Sequence, residues 1–201
     1  MEIGCNSGLN RQRHHMNRTP SRPTTSGLRE TALKYLERYS ATEAGLRRLL
    51  ERRIIKWQLI EGASDTTDVA DLRNAIDDIV ASFWRLGLLD DKAFAESKGD
   101  SLRRAGRSTR AARAQLVAKG VDSVLADQVL PDDLDAELAA ALITTRRRRI
   151  GPFGEPKARA DASYQRDLAK LVRAGFSIAI AEKALATESE TAETIIREAR
   201  R

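Results

Sequence analysis

The chain has 201 residues, a formal net charge of +6 and one cysteine, Cys5. A single cysteine can form neither an intramolecular disulfide nor a cysteine-based zinc site, so both are excluded and a reducing compartment is expected. Aromatic residues are only 4% of the chain, which is typical of a helix-rich protein and unlike a β-sandwich. The excess of positive charge favours a polyanion or an acidic protein surface as the partner.

Residues 1–26 differ from the rest of the chain in composition. They lack an apolar run and scatter arginines among Asn, Ser, Thr and Pro, so they resemble neither a secretory signal nor a membrane span. We interpret them as a flexible basic N-terminal arm, with a transit-like segment as the alternative. No later stretch is apolar enough to cross a bilayer, so the sequence predicts a cytoplasmic protein without a membrane partner.

Residues 27–88 are predicted to form three helices, because apolar residues recur there three and four positions apart. The second helix is expected to begin at Ser40, whose hydroxyl would cap it together with Glu43 in a capping box. Its apolar row is expected to run on to Trp57 or Ile60 before Gly62 stops it. The third is expected to begin with Asp68 as its cap. It ends at Gly87, a glycine followed by an apolar residue, which is the sequence form of a helix stop.

Residues 89–131 repeat this pattern with a second set of three helices. Asp90 or Asp91 is positioned to cap the first of them, and Ser108 is positioned to cap the second. Gly120, again followed by an apolar residue, is expected to end the second helix. The same order of caps and stops therefore recurs.

Residues 132–201 carry a third set of helices and a further C-terminal helix. Pro156 suits the first turn of the second helix of this set. Gly175 followed by Phe176 is expected to end that helix, and Ser177 to cap the next one.

A triplet of helices thus occurs three times, and the middle helices are expected to end at Arg52-Arg53-Ile54, Lys119-Gly120-Val121 and Ala174-Gly175-Phe176. Internal repetition is typical of a stacked array in which each unit buries its apolar face on its neighbours. The sequence therefore predicts an all-α fold of three tandem three-helix repeats in an elongated array. Such an array offers a binding face rather than a catalytic pocket, and we expect a monomer because its faces are buried internally.

One segment of the second repeat is especially specific. Leu89-Asp90-Asp91-Lys92-Ala93-Phe94-Ala95 is similar to the Leu-Asp-Asp-x-x-Phe-Ala signature that opens the second repeat of the RecX family. Gly106-Arg107-Ser108, the stop at Gly120 and the segment 171–176 resemble further family segments in the same order and at repeat spacing. The chain therefore resembles the RecX family from about Leu28 to Leu185, although the middle helix of its first repeat lacks the terminal glycine.

The resemblance implies three tandem three-helix units, no cofactor, and a regulatory protein that lies in the helical groove of the RecA–DNA filament. Members of the family generally inhibit the strand exchange, ATP hydrolysis and co-protease activities of the RecA recombinase. The residues that match the family motifs, which we expect to be structural, are Leu89, Asp90, Asp91, Phe94, Ala95, Gly120, Gly175 and Phe176.

Catalysis and metal binding are not predicted. The only histidines, His14 and His15, lie in the predicted arm, so the folded body offers no imidazole for a catalytic triad or a metal site. An adjacent carboxylate pair is compatible with acid–base chemistry, but its place after a helix stop favours capping. Trp57 and Trp84 are assigned to the core rather than to base stacking, because both fall at helical spacing.

Two basic clusters are the candidate binding residues. The first has no acidic residue between Asp100 and Asp122 to offset it, and it predicts a positive ridge that includes Arg110 and Arg113. The second is a run of four arginines at a helix C-terminus, where cations are also favoured for structural reasons. A solvated polar face is the alternative for both. The candidates are Arg103, Arg104, Arg107, Arg110, Arg113, Lys119, Arg146, Arg147, Arg148 and Arg149.

Three functions are compatible with these features. The protein could modulate the RecA filament, with the ridge against an acidic rim or the DNA phosphates and weak contacts that add by multivalency. It could instead bind DNA directly, because a capped helix pair with a basic second helix is the pattern of a helix-turn-helix reader. A structural adaptor without a nucleic-acid role is the third alternative.

Overall fold

The computed structural model describes residues 22–61, 67–154 and 161–199, and over these ranges it contains ten α-helices, one short 3-10 turn and no strand. The all-α prediction is therefore confirmed. Most of the predicted basic arm, together with Pro156, lies outside the described residues. The helices are α1 (Thr25–Leu36), α2 (Glu43–Glu61), α3 (Thr67–Arg85), α4 (Asp91–Arg104), α5 (Thr109–Lys119), α6 (Ser123–Val129), α7 (Leu134–Arg148), α8 (Asp161–Arg173), α9 (Ile178–Ala186) and α10 (Ser189–Glu198), with the 3-10 turn Gly151–Phe153 between α7 and α8.

The buried apolar side chains of the described residues form three separate clusters. One joins α1, α2 and α3, a second joins α4, α5 and α6, and a third joins α7 to α10. Each set of helices therefore has a small core of its own, which fits the predicted repeats at 27–88, 89–131 and 132–201. Leu89, assigned from the sequence to the second repeat, packs into the first cluster and so anchors the start of the second unit on the first.

Several helices end in the same way. After α3, α4, α5 and α8 a glycine takes a positive φ, and the next N–H donates to a carbonyl five residues back. The predicted stops at Gly87, Gly120 and Gly175 are thereby confirmed. After α7, Arg149 takes the left-handed conformation in place of glycine, with a φ of 53°.

The start of α2 differs from the prediction. Thr42, not Ser40, caps this helix, because the Thr42 hydroxyl accepts a hydrogen bond from Gly45 N at 2.9 Å. The helix ends at Glu61, which agrees with the apolar row that runs on to Ile60 and not with an end at Ile54; the predicted stop at Gly62 lies outside the described residues.

Two further expectations about α3 need correction. Asp68 lies within the helix, where it pairs with Arg22 at 3.0 Å, and so it is not the cap. Trp57 of α2 is buried as predicted, but Trp84 of α3 is 64% exposed, so its assignment to the core is wrong. The neighbouring Phe83 occupies the core-facing position, and the next residue on a helix turns about 100° away from it.

Replacing Gly175 with alanine tests how tightly the helix stop after α8 is packed. Gly175 has a φ of +104°, and a Cβ there would lie 2.3 Å from Ser108 Oγ. We expect Gly175→Ala to lower the free energy of unfolding by about 2–3 kcal/mol, through backbone strain and this clash. Gly87→Ala is the matched control, because Gly87 also has a positive φ but nothing lies within 4 Å of its Cβ position. It should cost only about 1 kcal/mol. Urea unfolding measures both, and equal losses would contradict the close contact.

Candidate partner-binding surface and the junctions that position it

The first and second units meet where the amino end of α2 faces the carboxyl end of α5. The Thr42 hydroxyl donates to the carbonyl oxygen of Lys119 at 2.7 Å, and Glu43 N donates to Asp91 Oδ1 at 2.8 Å. The last carbonyls of a helix have no partner within the helix, so a donor from the next unit satisfies one of them. The opposed partial charges of the two helix ends also attract each other.

The second and third units meet through the same arrangement. The Ser108 hydroxyl caps α5 and donates to the carbonyl oxygen of Ala174, just past the end of α8, at 3.0 Å. Thr109 donates from both its N–H and its hydroxyl to Glu137 Oε2, at 2.8 and 2.6 Å. The middle helices α2, α5 and α8 therefore follow one another head to tail.

Small residues allow these junctions to close. A Cβ on Gly120 would lie 2.7 Å from Ala44 Cβ, and one on Gly175 would meet the Ser108 hydroxyl. Thr42 and Ser108 are buried at these contacts. The two family-motif glycines thus have a structural role at the contact between units, in addition to ending their helices.

The two aspartates of the family motif perform different tasks. Asp90 caps α4 by accepting from Ala93 N at 2.9 Å, as the capping alternative predicted. Asp91 instead contacts the first unit through Glu43 N. Burial raises the pKa of the Asp91 carboxyl above its ordinary value, and the charges of Glu43 and Asp90 also raise it, while the hydrogen bond from Glu43 N lowers it.

The first basic cluster does not form the ridge that its spacing predicted. Arg113 donates from Nε and Nη2 to the carbonyl oxygen of Leu130, at 2.9 and 2.7 Å. It also pairs with Asp127 at 3.1 Å and with Asp132 at 3.0 Å, and is only 25% exposed. The expected ridge shared by Arg110 and Arg113 is therefore wrong, because acids that follow in the chain fold back onto Arg113.

Arg103 is also turned toward the protein. Its Nη2 lies 3.4 Å from the carbonyl oxygen of Pro131, and its Nε is buried without a hydrogen-bond partner. Arg113 and Arg103 thus both contact the segment that joins α6 to α7. Their first role is to connect helices.

The second cluster contacts three different elements, because consecutive residues spread around a helix. Arg146 pairs with Glu193 of α10 at 3.0 Å, and Arg148 donates to the carbonyl oxygen of Lys170 in α8 at 3.3 Å. Arg147 donates to the carbonyl oxygen of Ala105, at the end of α4, at 3.2 Å. The run therefore cannot face one partner.

Among the arginines predicted to bind a partner, one group is exposed around the turn between α4 and α5. Arg104, Arg107 and Arg110 are exposed and have no ion-pair partner in the described part of the chain. The contact of Arg147 with Ala105 brings a fourth arginine, from the second cluster, to the same turn. We call these four residues the corner cluster.

The turn that carries the corner cluster is firmly held. The Thr144 hydroxyl of α7 donates to the carbonyl oxygen of Gly106 at 2.6 Å, and a Cβ on Gly106 would lie 2.7 Å from Ile143 Cγ2. The backbone beneath the four arginines is therefore fixed against the third unit. A charged surface on a fixed backbone needs little reorganisation when it binds an anionic partner.

Comparison with known proteins agrees with the fold and the motifs. Proteins named Regulatory protein RecX from Myxococcus xanthus, Agrobacterium fabrum and Thermobifida fusca are 38%, 30% and 31% identical to the chain. These alignments cover 84%, 90% and 81% of this chain and 90%, 93% and 78% of the respective relatives. A crystal structure of RecX from Lactobacillus salivarius superposes with a TM-score of 0.58 over 88% of this chain and 96% of that chain, at 18% identity. No protein-family model matches.

The fold and these relatives place the chain in a class of all-helical regulatory proteins built from successive helical units. The chain belongs to the RecX family, since relatives at 30–38% identity align with most of its length. Within the described ranges, no helix has both the length and the apolar character that crossing a bilayer requires. Those same residues contain no group of three or more His, Cys, Asp or Glu side chains able to hold a metal ion.

Loss of the Glu137 carboxylate tests the junction between the second and third units. Thr109 is buried, so Glu137→Ala leaves its N–H and hydroxyl without their acceptor. We expect the free energy of unfolding to fall by about 1–3 kcal/mol. Glu137→Gln keeps an acceptor oxygen and should recover much of this loss. Asp135→Ala on the exposed side of the same helix turn is the control, with a cost of about 0.5 kcal/mol. A Glu137→Ala loss no larger than the control's would contradict the role of this contact.

The raised pKa of Asp91 predicts a pH dependence with a definite sign. Because the folded pKa lies above the unfolded one, protonation of Asp91 favours the fold. This stabilisation is present below the unfolded pKa and is lost as the pH rises through the folded pKa. Relative to Asp91→Asn, the wild type should therefore gain stability as the pH falls from about 6 to about 4. Denaturant unfolding of both proteins across this range measures the difference, and a constant difference would contradict the prediction.

Proposed function

We propose that this protein binds the RecA–DNA filament and modulates RecA, mainly by inhibiting its recombinase, ATPase and co-protease activities. The observation that carries the proposal is family membership along most of the chain's length. The protein would act in the cytoplasm, as a monomer and without a cofactor.

The corner cluster is the surface that we propose meets the filament. Arg104, Arg107 and Arg110 lie around a fixed turn, and Arg147 reaches it from α7, so the four are suited to the acidic rim of the filament groove or to DNA phosphates inside it. Lys119, the last residue of α5, and Arg149, just after α7, are exposed candidates that would add further contacts. Several weak contacts along successive units add through multivalency.

Direct reading of DNA by a helix-turn-helix pair is less compatible with the geometry. In such a pair, the first residues of the second helix reach the base edges in the major groove. In the α4–α5 pair these residues are Ser108 and Thr109, which are buried against Ala174 and Glu137. The exposed arginines of the corner cluster can still contact DNA phosphates. The buried start of α5 cannot reach the base edges.

The single-stranded-DNA-dependent ATPase of the cognate RecA tests this function. We expect the wild-type protein to inhibit it, and the triple variant Arg104→Glu, Arg107→Glu, Arg110→Glu to need a roughly tenfold higher concentration for half-inhibition. Arg113 is left intact because it holds α5 to the end of α6.

The control carries the same change in charge on exposed cations of the third unit, through Arg173→Glu, Lys183→Glu and Arg197→Glu. It should inhibit like the wild type. An absence of inhibition by the wild type would overturn the proposed function. Equal inhibition by both triple variants would keep the function and remove the corner cluster from the interface.

A further inference from the structure

An open groove of about 380 Å³ lies between the first and second units, directly over their junction. Side chains from α1, α2, α4 and α5 line it, and they include four cations, Arg48, Arg52, Lys98 and Lys119. Of these four, only Lys119 is among the binding residues predicted from the sequence. The other three are brought beside it by the stacking of α2 on α5.

The cations of this groove are not neutralised by the protein. The described side chains that line it include no carboxylate. Arg52, Lys98 and Lys119 have no ion-pair partner within the described ranges, and Arg48 only donates to the carbonyl oxygen of Ala118 at 3.3 Å. Like charges that converge on a cleft raise its positive potential and attract an anion.

Aromatic side chains stand beside these cations. Tyr35 and Tyr39 lie with ring centroids 5.3 Å apart and planes at 40°, and Tyr39 is 58% exposed. Phe94 of α4 also lines the groove. A neighbouring groove of about 470 Å³ shares Tyr39, Phe94 and Lys98 and extends the path toward the end of α3. Its one carboxylate, that of Asp90, is occupied in capping α4.

We propose that this groove binds a short stretch of single-stranded nucleic acid, with phosphates at the four cations and a base stacked on Tyr39. Cations that follow a groove beside an exposed aromatic ring are the pattern of sequence-tolerant single-strand binding. A duplex keeps its base faces stacked on one another and cannot use the ring. An acidic peptide would match the charge but leave the exposed tyrosine without a role. The proposed site does not require RecA, so its test is independent of the test of the proposed function.

Fluorescence anisotropy of a labelled oligothymidylate of about 12 nucleotides, titrated with the full chain in the absence of RecA, tests the proposal. We expect the double variant Arg52→Glu, Lys98→Glu to raise Kd at least roughly tenfold. The slope of log Kd against log salt concentration should also fall by about 0.7 for each phosphate that the variant no longer neutralises. The matched control, Arg173→Glu with Lys183→Glu, should bind like the wild type. Thermal melting checks that all variants remain folded, which is expected because Arg52, Arg173 and Lys183 are exposed and Lys98 is only partly buried.

Variants of Tyr39 distinguish base stacking from electrostatic attraction alone. Tyr39→Ala should weaken binding roughly tenfold, and Tyr39→Phe, which keeps the ring, should restore it. The proposal is overturned if the groove double variant binds like its control, or if duplex DNA of the same length binds as tightly as the single strand. It is also overturned if polyglutamate competes as well as the oligonucleotide while Tyr39→Ala has no effect.

Discussion

The structure depends on one interaction that occurs at both junctions, in which a helix-capping hydroxyl also donates to the last carbonyls of the next unit's middle helix. Thr42 makes this contact with Lys119, and Ser108 makes it with Ala174. Each hydroxyl uses its acceptor capacity for its own helix and its donor for the neighbouring unit. Because each unit has only a small apolar core, these buried polar contacts determine how successive units are placed on one another.

The placement of the units decides which charges remain available. Arg113 and Arg146 are satisfied by acids of the same chain, so they connect helices rather than meet a partner. The corner cluster and the groove between the first two units keep exposed cations, and they are the surfaces that we propose bind anions. Both surfaces are composite, since Arg147 reaches the corner from α7 and the groove takes cations from α2, α4 and α5. Each of these charged surfaces is therefore formed by the packing of several helices and not by one helix alone.

The sequence predicted the features that depend on neighbours along the chain. The cap at Asp90 and the stops at Gly120 and Gly175 are local, since a cap or a stop acts within one or two helical turns. Apart from the misplaced caps at Ser40 and Asp68, prediction failed where the partner lies farther away. Arg113 is paired by Asp127 in the next helix and by Asp132 beyond it, and Asp91 contacts a backbone N–H 48 residues earlier in the chain. Trp84 is exposed because its neighbour Phe83 occupies the core-facing position of α3.

By itself, the sequence determined the helical class, most of the caps and stops, and the family, because all three follow from short-range patterns that survive in any helical packing. The tertiary structure alone decided which arginines are free, which aspartate caps and which joins units, and where a groove forms between them. The physical reason is that several distant residues can form a hydrogen bond or an ion pair with the same side chain. Spacing along the chain does not show which of them does so in the folded protein.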